Sequence, residues 1–368
     1  MRKNINYIGL KEQHSTLRNQ IIRSVNSVLN DSMFILSKQL EEFEKTFAEY
    51  VGAKYCVGVN SGTDSLFLSM KALGINQYSS VITAPNSFLA TASSIVATGA
   101  RPIFVDVSED MNINPDLIED AIEVDTIATI PVHLTGRPAK MNKIMRIAED
   151  KGLYVIEDCA QAIGTKFKDK HVGTFGDIGC FSFHPLKTLN ACGDGGAIVT
   201  NSKRIYDKLL QLRNIGLKDR DHADLWGYNS RLDTLQASIL LTKMKYVNYW
   251  VEKRRNNAKI YSHNLKNIVN TPKETKDEYS TYHTYIIKTE NRNHLQSYLK
   301  DNRIRTAIHY PIPIHLQKCA QSLGYKKGDF PETEKQADTI LSLPIYPELK
   351  IEEIMYVIEM IKKWKDVF

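Results

Sequence analysis

The sequence predicts an α/β protein, with a large domain on a mainly parallel sheet and a smaller α+β domain after it. Three observations predict this. Between Tyr55 and Asp158 short apolar, β-branched runs alternate with amphipathic stretches, the pattern of a parallel sheet with helices on both faces. Beyond about residue 265 that alternation gives way to a sparser mixture of strands and helices. The length of 368 residues suits one large domain plus a smaller one. We place the boundary on a long periodic segment from Ser230 to about Leu265, dividing 1–245 from 246–368.

Taken in order, Leu17, Ile21, Ile22, Val25 and Leu29 stand at helical spacing in the first amphipathic segment. Ser37 caps a second helix carrying Leu40, Phe43, Phe47 and Tyr50, which Gly52 ends. Strands are expected at 55–59, 80–84, 102–107, 126–132 and 153–156, and helices after Asn60, over 87–98, 115–122 and 141–151. Cys180–Phe183 and Ala197–Thr200 read as two further strands around a glycine-rich turn, Gly193-Asp194-Gly195-Gly196. A helix is expected over 205–212, then the long helix over 230–265. The last third should hold strands at 284–288 and 306–310, a helix near 294–301 and a closing helix bearing Ile351, Ile354, Ile358, Ile361 and Trp364.

Composition narrows the class. Hydrophobic content of 42% and charged content of 24% are ordinary for a globular chain. The net charge of +6 is spread out, and its densest cluster, Lys253-Arg254-Arg255, reads as a solvated helix face, so nucleic acid is not an expected partner. Cys56, Cys159, Cys180, Cys192 and Cys319 form no CxxC pair, which argues against a disulfide framework or a zinc site and for buried free thiols. No leader-like or membrane-length apolar run is present, so no membrane partner and a cytoplasmic location are expected.

Candidate chemistry gathers at the strand ends, where open parallel sheets bind ligands. Lys187 lies between the two late strands beside Leu186 and Leu189; in a dry pocket its amine becomes a nucleophile able to form an imine. Ser61-Gly62-Thr63 follows a strand and opens a helix, an arrangement suited to phosphate. Asp158 ends the apolar run Tyr154-Val155-Ile156, where a carboxylate can hold a ring nitrogen protonated or simply cap the next helix. Phe88 can stack on a flat ring. An imine anchor, an acid for a pyridine nitrogen, a phosphate cradle and a stacking ring together describe a site for pyridoxal 5′-phosphate (PLP). No GxGxxG follows the first strand, which disfavours a nicotinamide enzyme.

The motifs Ser182-Phe183-His184-Pro185-Leu186-Lys187, Gly193-Asp194-Gly195-Gly196, Glu157-Asp158-Cys159-Ala160-Gln161 and Gly227-Tyr228-Asn229-Ser230-Arg231 resemble those of the DegT/StrS-type sugar aminotransferases. The resemblance runs from the N-terminal helices to Leu341-Ser342-Leu343-Pro344-Ile345-Tyr346-Pro347. It implies the three-layer, fold-type I PLP-transferase architecture. It also implies that Lys187 anchors PLP and shuttles the proton, that Asp158 pairs with the ring nitrogen, and that Gln161 lies near the ring hydroxyl. Ser61, Gly62, Thr63 and Ser182 would hold the phosphate, Phe88 would stack, and Asn229 would reach the phosphate of a neighbouring subunit in a homodimer with shared active sites. His309, Tyr310 and His315 match a region near the sugar–nucleotide pocket.

The implied reaction moves an amino group from glutamate to a keto group of a nucleotide-linked deoxy sugar, yielding an amino sugar for surface polysaccharide or glycan. The Gly193–Gly196 turn resembles members that aminate C3, while His184–Lys187 resembles C4 members as well; C3 is the expectation. No metal is implied. Two other readings stay open: lyase or dehydratase chemistry on the same fold, and a non-catalytic regulatory protein.

Overall fold

The computed structural model describes residues 4–367; Met1–Lys3 and Phe368, at the outer ends of the two expected domains, lie outside the described residues. The large domain carries strands β1 (Tyr55–Val59), β2 (Ser80–Thr83), β3 (Arg101–Phe104), β4 (Thr126–Ile130) and β5 (Tyr154–Asp158). A small hairpin, β6 (Lys166–Phe167) and β7 (Lys170–His171), precedes β8 (Ile178–Ser182) and β9 (Gly196–Thr200). Seven of these form one sheet in the order β1-β9-β8-β5-β4-β2-β3. It is parallel from β8 to β3, while β9 runs antiparallel to both neighbours. Helices α1 (Leu10–Asp31), α2 (Lys38–Val51), α3 (Gly62–Leu73), α4 (Ala90–Ala97), α5 (Met141–Lys151), α6 (Lys203–Leu212) and α7 (Thr234–Met244) cover it.

Burial on both faces explains why the central strands read as unbroken apolar runs: every residue of β2, β8 and β9 is buried. Ser37 caps α2 as expected, its hydroxyl accepting from the Leu40 amide at 3.3 Å. The apolar stripe of α2 then sets Phe43 and Phe47 edge-on to Phe183 at 5.3 Å, and Phe47 edge-on to Phe181 at 5.0 Å. Such pairs add about 0.5–1.5 kcal/mol each beyond their buried area. They clamp the end of β8, where the candidate lysine loop begins.

The smaller domain comprises α8 (Val247–Leu265), β10 (Glu278–Tyr279), β11 (Tyr285–Lys288), α9 (Arg292–Asp301), α10 (Pro331–Thr339), β12 (Ile340–Leu343) and α11 (Ile351–Val367). Its core holds Tyr261, Tyr285, Leu341, Ile358 and Trp364. β11 pairs antiparallel with β12, whereas β10 crosses to pair with β6 of the large domain.

Several local expectations need correction. The segment 230–265 is two helices, since α7 stops at Met244 and α8 starts at Val247. The expected helix over 115–122 is a pair of 3₁₀ turns, Pro115–Leu117 and Glu119–Ala121. The expected strand over 306–310 is a single bridge, Ala307 to Ser342, on the edge of β12 opposite β11. Along α1, Leu17 and Val28 are buried while Ile22 and Leu29 stay exposed. Cys192 and Cys319 are exposed, leaving three buried thiols among five free cysteines. Lys253-Arg254-Arg255 is not a solvated face: Arg254 is only 8% exposed and Arg255 pairs with Glu274. Among the described residues no helix is long and apolar enough to cross a membrane.

Candidate active site

A cavity of about 530 Å³ opens at the carboxyl ends of β1, β5 and β8. It brings together Lys187, Asp158, Gln161, Phe88, Ser182 and the Ser61–Thr63 turn, with His309 and Tyr310 from the smaller domain. His184 also reaches it.

One wall is an anion cradle. The Ser61 hydroxyl caps α3 by accepting from Asp64, which leaves the Gly62 and Thr63 amides as the helix's first orphan donors. Two glycines permit this geometry. A Cβ on Gly62 would lie 2.5 Å from the Ser182 Cβ, and one on Gly196 would lie 2.3 Å from the Ser61 carbonyl oxygen. Only bare backbone lets the helix start, the end of β8 and the start of β9 meet so closely.

Asp158 terminates β5 and is fully buried beneath the cavity. Thr91 donates to its Oδ2 at 2.9 Å and the Ala160 amide to its Oδ1 at 3.1 Å. Burial pushes its carboxyl above the ordinary carboxylate range, against the pull of those two donors and of Lys187. A buried carboxylate in that condition is suited to a cationic N–H. Gln161 is held at both ends, accepting from the Thr135 amide at 2.7 Å and donating to the Tyr310 hydroxyl at 3.2 Å. Phe88 lies 5.8 Å from the Tyr310 ring, tilted by 41°.

Lys187 sits on a turn in which its amide donates to the His184 carbonyl at 2.8 Å and the Leu186 amide donates to His184 Nδ1. His184 is thus part of the turn's own bonding. Burial lowers the Lys187 amine to about 8, opposed only by Asp158. At pH 7 about a tenth of such amines are neutral, against roughly 0.04% for an ordinary lysine. The loop is tied down by residues that sequence reasoning missed. Asn190 donates to the Lys187 carbonyl at 3.0 Å, and the fully buried Lys243 of α7 donates to the Asn190 carbonyl at 2.8 Å. Nothing local marks Lys243, because only the packing of α7 under the loop buries it.

Two proposed residues do not join the cavity. After Pro313 the chain makes a 3₁₀ turn, Ile314–Leu316, which turns His315 toward α10; there its Nε2 meets Glu334 Oε1 at 3.0 Å. Asn229 is exposed beside Asn214 and does not line this chain's own cavity. Conversely, Tyr7, Arg254, His283 and Tyr346 line it although none of them was an expected site residue.

His133, Glu157 and Cys159, the last two flanking Asp158 in the chain, place potential metal ligands within 4.8 Å of one another. Their bonding describes a buttress. Glu157 accepts from the amides of Gly173, Phe175 and Gly176 at 2.7–2.8 Å and faces His133 Nε2 at 3.0 Å. His133 Nδ1 accepts from the Ala139 amide, which assigns the proton to Nε2. Burial favours the neutral acid, but His133 and the glycine amides outweigh it and hold the Glu157 carboxyl below its ordinary value. Glu157→Gln should therefore destabilise the protein by roughly 3 kcal/mol, through lost charge-assisted bonds and amides left facing an NH₂ group. Denaturant unfolding checks this; a loss under about 1 kcal/mol would refute the buttress.

An amine near neutrality, a buried acid and a helix-borne anion cradle fit PLP: Lys187 for its aldehyde carbon, Asp158 for its ring nitrogen, and Gly62, Thr63 and Ser182 for its phosphate. On a fold-type I architecture, this site defines a PLP-dependent aminotransferase. The chain belongs to the DegT/DnrJ/EryC1/StrS aminotransferase family, whose profile matches residues 15–362. It is 42% identical to a "Pleiotropic regulatory protein" of Geobacillus stearothermophilus, over 98% of each chain. It is 39% identical to a UDP-N-acetyl-3-dehydro-α-D-glucosamine 3-aminotransferase of Acidithiobacillus ferrooxidans, over 97% of this chain and 96% of that one. Its fold matches the crystal structure of S. venezuelae DesV in complex with a ketimine intermediate, with a TM-score of 0.97 and 34% identity over 99% of both chains.

Proposed function

We propose that this protein transfers an amino group from glutamate to the 3-keto group of a nucleotide-linked deoxy sugar, making an amino sugar for surface polysaccharide or glycan. The observation that carries the reading is Lys187: an amine lowered by burial to about 8, in one cavity with Asp158. PLP supplies the electron sink that makes the carbon bearing the nitrogen acidic. The chain's residues do the rest. Asp158 holds the proton on the ring nitrogen, and Gly62, Thr63 and Ser182 anchor the phosphate. Lys187 Nζ carries the proton between the two carbons, a task that its near-neutral amine suits. C3 regiochemistry is supported by the Gly193–Gly196 turn and by the relative named as a 3-aminotransferase.

The working unit is a homodimer sharing its sites, in the cytoplasm, where free thiols persist. Support for the dimer comes from the exposed run Met33-Phe34-Ile35-Leu36, and from Asn229 lying outside its own chain's cavity. Mixing Lys187→Ala with Asn229→Ala subunits should restore activity in some hybrid sites. No recovery despite verified subunit exchange would sink the shared site.

The spectrum of the PLP-loaded protein tests the main reading. Glutamate should bleach the yellow band, and a nucleotide-linked 3-keto sugar should restore it. A band that no amino donor bleaches favours lyase chemistry. A protein that never takes up the cofactor favours the regulatory role named for the Geobacillus relative.

A further inference from the structure

Lys243 of α7 is a buried cation outside the cavity. Among the described residues no carboxylate lies within 4.0 Å of its amine, and a buried ammonium without a counter-ion is kept at a cost to stability. Burial lowers the amine to about 8, with Cys192 pulling the other way, so at pH 7 about nine-tenths of it is protonated. Its Nζ has three partners: the Asn190 carbonyl at 2.8 Å, Asn190 Oδ1 at 2.5 Å and His14 Nε2 at 3.1 Å. The two oxygens can only accept. Burial and the Lys243 charge keep His14 neutral, and its Nε2 accepts with the proton on Nδ1. Three acceptors need three N–H donors, which the ammonium has and the neutral amine lacks.

What the ammonium holds is the side chain that grips the lysine turn. Asn190 is 1% exposed and follows Lys187 by three residues; its Nδ2 donates to the Lys187 carbonyl and to Gln13 Oε1 of α1, both at 3.0 Å. An amide can turn over at little steric cost, exchanging its oxygen and nitrogen. Turned so, Asn190 would set an oxygen against the Lys187 carbonyl, which cannot donate. The ammonium forbids this, because it must face an oxygen. One helix face lower, Gln236 of α7 accepts from the Cys192 amide at 2.8 Å, so α7 grips the loop at two points. Burial and Asp158 are what set the Lys187 amine, so Lys243 acts on it through the Asn190 bonds and not through its field.

We propose that Lys243 is a positioning residue for amino transfer: its ammonium orients the Asn190 amide, which holds the Lys187 turn and so the reach of Lys187 Nζ. This rests on the aminotransferase reading and adds to it a residue that touches neither substrate nor cofactor. Lys187 must serve two carbons from one backbone position, and misplacing such a group by about 1 Å can cost about 10²-fold in rate. A carbonyl fixed by Asn190 keeps that backbone still while the side chain moves.

The test compares the PLP-loaded wild type with Lys243→Met, Asn190→Ala, their double variant and Asn190→Asp. Lys243→Met should keep the cofactor band and the KM for glutamate while kcat falls about tenfold or more. Independently of turnover, hydrogen exchange of the peptide spanning 183–192 should quicken about tenfold or more, with the sheet strands unchanged. The double variant should be no slower than Asn190→Ala, because both substitutions break one chain of bonds. Asn190→Asp keeps an oxygen for the ammonium, so its stability should hold, yet it faces the Lys187 carbonyl with oxygen and should lower kcat as Lys243→Met does. A folded, loaded Lys243→Met protein with wild-type kcat and exchange overturns the assignment. Where that variant does not fold, wild-type kcat in Asn190→Asp overturns it, as do losses that multiply in the double variant. In each case the aminotransferase reading stands, since wild type still turns over. A loaded wild type that transfers no amino group instead removes that reading, and this assignment with it.

Discussion

Replacing Lys187 by alanine should abolish amino transfer, lowering kcat by about 10⁴-fold or more. The substitution removes the residue proposed both to anchor the cofactor and to move the proton, and among the described residues no other lysine lines the cavity. The measurement is single-turnover conversion of glutamate, together with peptide mapping after borohydride reduction. Wild type should carry the pyridoxyl label on Lys187 alone, and a label on another lysine would refute the assignment. The pH dependence has a definite sign. The neutral amine is the reactive form and its pKa is lowered to about 8, so cofactor capture by the apo-protein should rise about tenfold per pH unit below 8 and level off above it. For an unperturbed lysine the rise would continue to about 10.

Asp158→Asn should fold and bind PLP, yet lose about 10²-fold or more in kcat. The geometry makes this a clean removal of charge. The Thr91 hydroxyl that donates to Oδ2 can turn and accept from an amide NH₂ instead, while the Ala160 amide keeps its oxygen acceptor. What disappears is the negative charge proposed to keep the ring nitrogen protonated. That charge differs between the two states by about 3 kcal/mol or more when buried. Steady-state kinetics alongside the cofactor dissociation constant separate the two roles. A loss confined to cofactor binding, with kcat intact, would make Asp158 a mere anchor.

Arg254, Asp158 and Lys187 show how differently residues of one cavity announce themselves. Asp158 ends a short apolar strand and Lys187 lies in the loop between two, and an ionisable residue in either place is notable before any folding is known. The turn at Ser61-Gly62-Thr63 was legible because it follows a strand and opens a helix, whereas the approach of Gly62 to Ser182 and of Gly196 to Ser61 shows only in the folded chain. Arg254 gave no such signal. Lys253 and Arg255 flank it, and the trio reads as one solvent-facing cluster. Helical spacing turns consecutive residues about 100° apart, so the three point in different directions. Which of them is buried depends on what packs against α8. His315 failed in the opposite sense, because a 3₁₀ turn invisible in composition aims it at Glu334.

The sequence by itself determined the local parts of this protein: the α/β alternation, the helix start at Ser61-Gly62-Thr63, the acid at the end of β5 and the lysine between two strands. These are set by chain-neighbour sterics and by hydrophobic period, which act within a few residues. Only the tertiary structure decided the helix break after Met244, the pairing of β12 with β11, the burial of Lys243 and Arg254, and the loss of His315 from the site. Each depends on which surfaces meet across the domains, and burial, which sets the charge and reactivity of those side chains, exists only once they have met.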